Sequence, residues 1–218
     1  MKHKFLKVFI IFCFFMDLNV VRAGTIESEF ISHIDKIKTY EAHFSQTIQD
    51  ERGSLISKSE GDFVILRPGQ FYWKSNSEDP VIIVADGTYL WTYDIALEQI
   101  TQQDLRKTIA ATPAEVLMGE TTDILKSFEV KKITQGSCNS ENHHCFELLP
   151  KNEGELTQTV EMLFNGDKLY EISMRDALGQ HVVTTFSKIR LNEKIQDRLF
   201  KFKPPKGVDV IQSIEENR

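Results

Sequence analysis

Between Tyr40 and Arg190 the chain is divided into short apolar runs of strand length, each closed by a turn signal, and that punctuation leaves few folds open. Tyr40–Gln49 alternates through Tyr40, Ala42 and Phe44; Gly53 turns the chain, and a second run extends from Ser54 to Leu66. Pro68–Gly69 turns it again into Phe71–Trp73. Val81–Val84 and Leu90–Tyr93 flank Asp86–Gly87, a hairpin signal, and Glu98–Thr101 continues with the polar residues expected near an edge. After an interruption at Thr108–Gly119, strands resume at Glu129–Thr134, Cys145–Leu149, Thr157–Asn165, Leu169–Met174 and His181–Arg190. Leu199–Phe202 reads as a last short strand, and Val208–Ile211 alternates once more after Pro204–Gly207. About ten strands in hairpin succession predict a mainly β (α+β) fold with one large antiparallel sheet.

A sheet of that size curls, and its concave face needs a cover. Three stretches can supply one. Thr25–Ile37 repeats Ile26, Phe30, Ile34 and Ile37 at helical spacing. Thr112–Met118 has Thr as a cap and Pro113 at the first helical position, and Thr122–Phe128 follows Gly119. Helices over a curved sheet either complete a core or leave a cavity. Phe44, Phe63, Phe71, Trp73 and Trp91 are available to line one. Patterning alone does not separate these outcomes, and an ordinary aromatic core is the simpler of the two.

Within the sheet, Gly61–Trp73 is the most informative stretch. Phe71 and Trp73 share a face because strand side chains repeat every second residue. Arg67 stands at the lip of this apolar surface with five donors and a permanent charge. It is either a solvated hairpin cation or, if partly buried, a polar latch that must find carbonyls or a carboxylate.

The amino terminus reads as a targeting segment. Lys2, Lys4 and Lys7 precede an apolar run from Phe5 to Met16, and Val21–Ala23 offers a cleavage site, so residues 1–23 are expected to be a secretory signal peptide. Residues 24–218 then form one domain, since no repeat, low-complexity run or linker divides them. The net charge is −6, and the signal segment contributes Lys2, Lys4, Lys7 and Arg22 against Asp17, so the exported part is more acidic still. That balance argues against a nucleic-acid partner and against anionic lipid surfaces, both of which demand basic patches. Export of an acidic body points to the periplasm or outside the cell.

Two cysteines remain after the segment, Cys138 and Cys145. An exported pair this close is expected to be a disulfide across a hairpin tip, stabilising by about 2–3 kcal/mol on the chain-entropy picture. The competing assignment is zinc held by Cys138, His143, His144 and Cys145, but three of these are consecutive, which suits a tetrahedral cage poorly. No metal or cofactor is therefore expected. There is no Gly-x-Ser-x-Gly elbow, no His-Glu-x-x-His and no phosphate-binding glycine loop, so no catalytic residue is assigned.

A set of short motifs resembles the periplasmic outer-membrane lipoprotein carriers of the LolA family. It comprises Phe44–Thr47, Gly61–Phe63, Leu66–Trp73, Asp86–Asp94, Glu98–Thr101, Thr112–Met118 and Phe200–Val210, in family order over nearly all of residues 24–218. The Cys138/Cys145 hairpin is a departure that the family pattern does not require. The resemblance implies an unclosed β-barrel under a helical lid, with lipoprotein acyl chains bound in an apolar interior. Residues implied to line it are Phe44, Phe63, Phe71, Trp73, Trp91, Pro113, Leu117 and Met118, with Phe71 at the rim in contact with the loading transporter. Arg67 would be the latch, bonding lid-helix carbonyls when the carrier is empty. The implied partners are lipoproteins, an inner-membrane ATP-binding-cassette transporter that loads the carrier, and an outer-membrane receptor lipoprotein that unloads it; the carrier itself is expected to be a monomer. Two readings of other classes remain at this stage. One is an exported hydrolase, disfavoured by the missing nucleophile–base motif. The other is a cavity-free envelope structural or signalling domain on the same fold.

Overall fold

The computed structural model describes residues 25–152 and 157–212; the expected signal peptide lies outside the described residues. In chain order the elements are α1 (Ile26–Asp35), β1 (Thr39–Gln49), β2 (Leu55–Leu66), β3 (Gln70–Ser75), β4 (Val81–Asp86), β5 (Tyr89–Asp94) and β6 (Gln99–Asp104). Then follow α2 (Leu105–Ile109), α3 (Pro113–Met118), α4 (Thr121–Ser127), β7 (Phe128–Ile133), β8 (His143–Pro150), β9 (Thr157–Asn165), β10 (Lys168–Asp176), β11 (His181–Leu191) and β12 (Asp209–Gln212).

All twelve strands belong to one sheet, in the order β12-β6-β5-β4-β3-β2-β1-β11-β10-β9-β8-β7. The two ends of that order, β12 and β7, are not paired with each other among the described residues, so the curled sheet is an unclosed barrel. Most neighbours are consecutive hairpins. The long connection is β1 against β11, where Phe44 faces Phe186 and a bulge between Glu41 and His43 bends the strand. This pairing joins the two halves of the meander into a single surface.

Register decides which side chains face inward. Across β1, β2 and β3, Phe44 lies opposite Gly61, and Phe63 lies opposite both Ala42 and Trp73. These positions, with Tyr40 and Ile65, make the concave face of this half. In the other half the same face carries Phe186, Ile172, Met162, Phe146, Leu148 and Val130. Tyr40 is fully buried, sits edge-on to Phe63 and Phe186, and donates its hydroxyl to the Leu169 carbonyl. Burial raises the pKa of that phenol, so it remains a donor.

The helices cover this face. α1 starts at Thr25, whose Oγ1 accepts the Ser28 amide at 3.2 Å, with Glu27 and Glu29 in the first turn where carboxylates suit the dipole. It buries Phe30 and Ile34, and Phe30 meets Phe146 edge-on at 5.2 Å. Asp35 at its end accepts from Thr121 Oγ1 at 2.7 Å and ties α1 to α4. α3 packs on α2, α4 and β2.

Three details differ from the sequence expectations. α2 is an additional helix, capped by Asp104 Oδ1 accepting the Lys107 amide at 3.1 Å; five residues are too few to show a period. Residues 199–202 are not a strand. Asp197–Phe200 forms a 3₁₀ turn that buries Phe200 fully, and Phe202 packs on the outside of the sheet. β12 pairs with β6 in parallel, Asp209 opposite Gln99, so the sheet is antiparallel only up to its last strand.

The disulfide Cys138–Cys145 is present at the tip between β7 and β8. Alkylating the exported protein without reductant is expected to modify neither thiol; two labelled cysteines in the intact mass would overturn the assignment. Reduction is expected to cost about 2–3 kcal/mol of stability, the loop-closure value for so short a ring.

Candidate functional site

An apolar cavity of about 170 Å³ lies between α3 and the concave face. Its walls are Phe63, Phe71 and Trp73 from β2 and β3, Pro113, Ala114 and Leu117 from α3, and Ile172, Met174, Val182 and Phe186 from β10 and β11. Two polar groups reach it, Gln46 and Thr184, and they satisfy each other through a 3.0 Å bond from Gln46 Nε2 to Thr184 Oγ1. The aromatic wall is stiff. Phe63 is perpendicular to Phe71 at 5.4 Å and to Trp73 at 5.8 Å. Phe44 stands behind the wall, stacked on Trp73 with centroids 3.5 Å apart.

Two expected lining residues, and the rim position expected of a third, need correction. Trp91 lies on the opposite face of the sheet. Ala85 pairs with Leu90, so Leu90 points inward and Trp91 points out, where its Nε1 donates to Asp86 Oδ2 at 2.9 Å and its ring packs on Phe202 at 5.5 Å. Met118 is buried, but it faces a second hollow of about 350 Å³ on the other side of α3, beside Leu105, Ile109 and Gly69. Phe71 is 8% exposed and part of the main core rather than a rim residue. Phe71→Glu is accordingly expected to place an unpaired charge in that core and cost about 3 kcal/mol or more. A thermal scan matching the wild type would return Phe71 to the surface.

At the mouth, the chain leaving β2 meets the end of α3. The side chain of Arg67 is half-buried and donates three hydrogen bonds: Nη1 to the Val116 carbonyl at 2.9 Å and to the Leu117 carbonyl at 2.7 Å, and Nη2 to the Gly119 carbonyl at 2.8 Å. The Gly69 amide donates to the remaining carbonyl of that turn, Met118, at 2.9 Å. A helix leaves its last carbonyls without intrahelical donors, and here the β2–β3 turn supplies them. The Arg67 amide is itself bound by the Lys38 carbonyl at 2.9 Å, which fixes the base of the side chain. Burial lowers the guanidinium pKa from its usual value, while Asp35 and Glu120 push it back up, and it stays charged.

Sequence reading missed Glu115, which holds α3 from the other end. Its carboxylate is buried, with Oε2 accepting the Ala111 amide at 2.7 Å and Oε1 accepting Ser127 Oγ at 2.9 Å. The signal was available: Thr112 followed three residues later by Glu115 is the capping-box pattern. The structure uses it one residue early, on Ala111, which takes a left-handed φ of 54°.

This arrangement is an apolar interior whose lid is held by polar bonds at its rim. A sequence profile of the family described as outer membrane lipoprotein carrier protein LolA matches residues 35–203. The chain belongs to the LolA family. Its relatives include an outer-membrane lipoprotein carrier protein of Halorhodospira halophila, 31% identical over 90% of this chain and 89% of the relative. Another, from Legionella pneumophila, is 33% identical over 83% of this chain and 87% of the relative. Among solved structures, an uncharacterized conserved protein from Thermus thermophilus superposes with a TM-score of 0.51 at 10% identity, covering 86% of this chain and 99% of its own. That likeness extends the open-barrel fold beyond recognisable sequence similarity. Among the described residues no helix is long and apolar enough to cross a membrane.

Proposed function

We propose that this member of the LolA family is a periplasmic carrier of lipoprotein acyl chains. It takes lipoproteins released from the inner membrane by an ATP-binding-cassette transporter and delivers them to an outer-membrane receptor lipoprotein, as a monomer and without catalysis. The observation that supports this reading most is the Arg67 cluster closing α3 over an apolar cavity.

Acyl chains gain about 0.8 kcal/mol for each CH₂ removed from water, so they cross an aqueous compartment only inside a protein. The cavity of about 170 Å³ is small beside the roughly 300–1,000 Å³ of ordinary ligand pockets. Cargo therefore enters by displacing α3. The bonds from Arg67 and Gly69 are broken in that step, and their loss offsets part of the burial energy. A carrier needs such an offset, because full burial energy would make release too slow.

An apolar fluorescent dye is expected to bind saturably to the purified protein and to be displaced by a diacylated lipopeptide. Dye binding that the lipopeptide does not affect would favour a cavity-free structural or signalling domain on the same fold.

A further inference from the structure

The disulfide removes Cys138 and Cys145 from any metal cage, and strand alternation turns His144 to the opposite face from Cys145. On that inner face His144 meets α1. Glu29 and His33 are four residues apart on α1, hence on one face of the helix, and both reach His144. One ligand atom from each of the three residues lies within 4.8 Å of the other two. We propose that Glu29, His33 and His144 form a binding site for a divalent transition-metal ion of the zinc class.

Three observations carry this. The donor set, two imidazoles and a carboxylate, is one that zinc accepts, with a fourth position left for water. Glu29 Oε1 and His144 Nδ1 are 3.3 Å apart. That is the edge of a tetrahedron whose ligands stand about 2.0–2.1 Å from the ion, so this pair is already at ligand spacing, and His33 must draw closer. His33 is 7% exposed, its Nδ1 has no hydrogen-bond partner among the described residues, and its ring lies 4.5 Å from that of His144. Buried polar atoms without partners are rare and call for one.

The charges around the cluster set its competitor. Lys132 Nζ now bonds both Glu29 oxygens, at 2.8 and 2.9 Å, and Lys36 pairs with Asp167 at 2.8 Å. A metal ion must displace Lys132, whose side chain is 37% exposed and free to turn to solvent. Once bound, the ion joins α1 to β8, a link independent of the latch at Arg67.

The test uses the oxidised exported protein titrated with zinc chloride against a chromophoric chelator, together with a thermal scan. One zinc per chain is expected, with a rise in melting temperature. His144→Asn and Glu29→Gln, both at half-exposed positions, are each expected to weaken binding at least tenfold. Lys132→Gln removes the competing cation and is expected to tighten it several-fold. No zinc bound by the wild type would overturn the site. So would affinity unchanged in His144→Asn or Glu29→Gln, or weaker binding in Lys132→Gln.

Discussion

Gly61→Ala is expected to lower the melting temperature by about 6–12 °C, although the same change at most exposed strand positions is mild or helpful. Gly61 lies opposite Phe44 on β1 and Ser75 on β3. A Cβ there would stand 1.9 Å from the Lys74 carbonyl oxygen and 2.9 Å from Phe44 Cε1. A flexible side chain can give way to a new methyl; a ladder carbonyl cannot without separating β2 from β3. The Phe44 ring cannot retreat either, because its other face is stacked on Trp73. Overpacking of this kind costs about 1–3 kcal/mol, and a backbone clash belongs at the upper end. For a domain of this size each kcal/mol moves the midpoint by about 2–4 °C. The same displacement tilts Trp73 into the cavity, so dye binding is expected to weaken along with stability. A melting temperature within a degree or two of the wild type would mean that the two strands part freely here and that Phe44 does not brace the cavity wall.

The fate of particular residues shows what a sequence carries. Phe71 and Trp73 were readable as one face because side chains alternate along the strand that follows the turn at Pro68 and Gly69, whereas Phe44 and Phe63 join that face only through the register of β1, β2 and β3. Trp91 was not, because Leu90 and Trp91 are adjacent and both apolar, and parity is fixed only by the pairing of Ala85 with Leu90. Its outward face is partly covered because Phe202 returns from far along the chain to pack on it. The same return explains the error at 199–202: Phe200 and Phe202 alternate like a strand, but Phe200 is buried in a 3₁₀ turn and Phe202 packs on Trp91 and Tyr93, with no strand partner for either among the described residues. The parallel partner of β6 carries no local signal, since parallel pairs form without a tight turn. Met118 shows the limit for helices. Leu117 and Met118 are neighbours on a helix of six residues, and one step of the helix separates two hollows. Arg67 was visible as a cation beside an apolar lip, but its acceptors lie 49 to 52 residues away, and only the fold brings them together.

Arg67→Leu is expected to increase retention of cargo and to slow its transfer to the outer-membrane receptor. Leucine keeps apolar bulk at the lip of the cavity and removes every donor. In the closed state the carbonyls of Val116, Leu117 and Gly119 then lose their partners. Displacing α3 lets water reach them, so the substitution destabilises the closed empty form and leaves the open loaded form nearly unchanged. Hydrogen bonds from a charged donor contribute about 1.5–3 kcal/mol each, and three that share one guanidinium contribute less than their sum. A shift of about 3 kcal/mol toward the open state corresponds to an increase in cargo affinity of roughly a hundredfold. Release is penalised by the same factor, because linkage lets the lid oppose cargo only as strongly as it favours closure. Arg67→Lys is expected to fall between, since an ammonium can reach one or two of the carbonyls but lacks the planar fork that meets all three. The measurement is the fraction of lipoprotein left on the carrier after incubation with purified receptor. Release from Arg67→Leu as complete as from the wild type would show that the bonds at the α3 terminus hold the helix end but do not govern the lid.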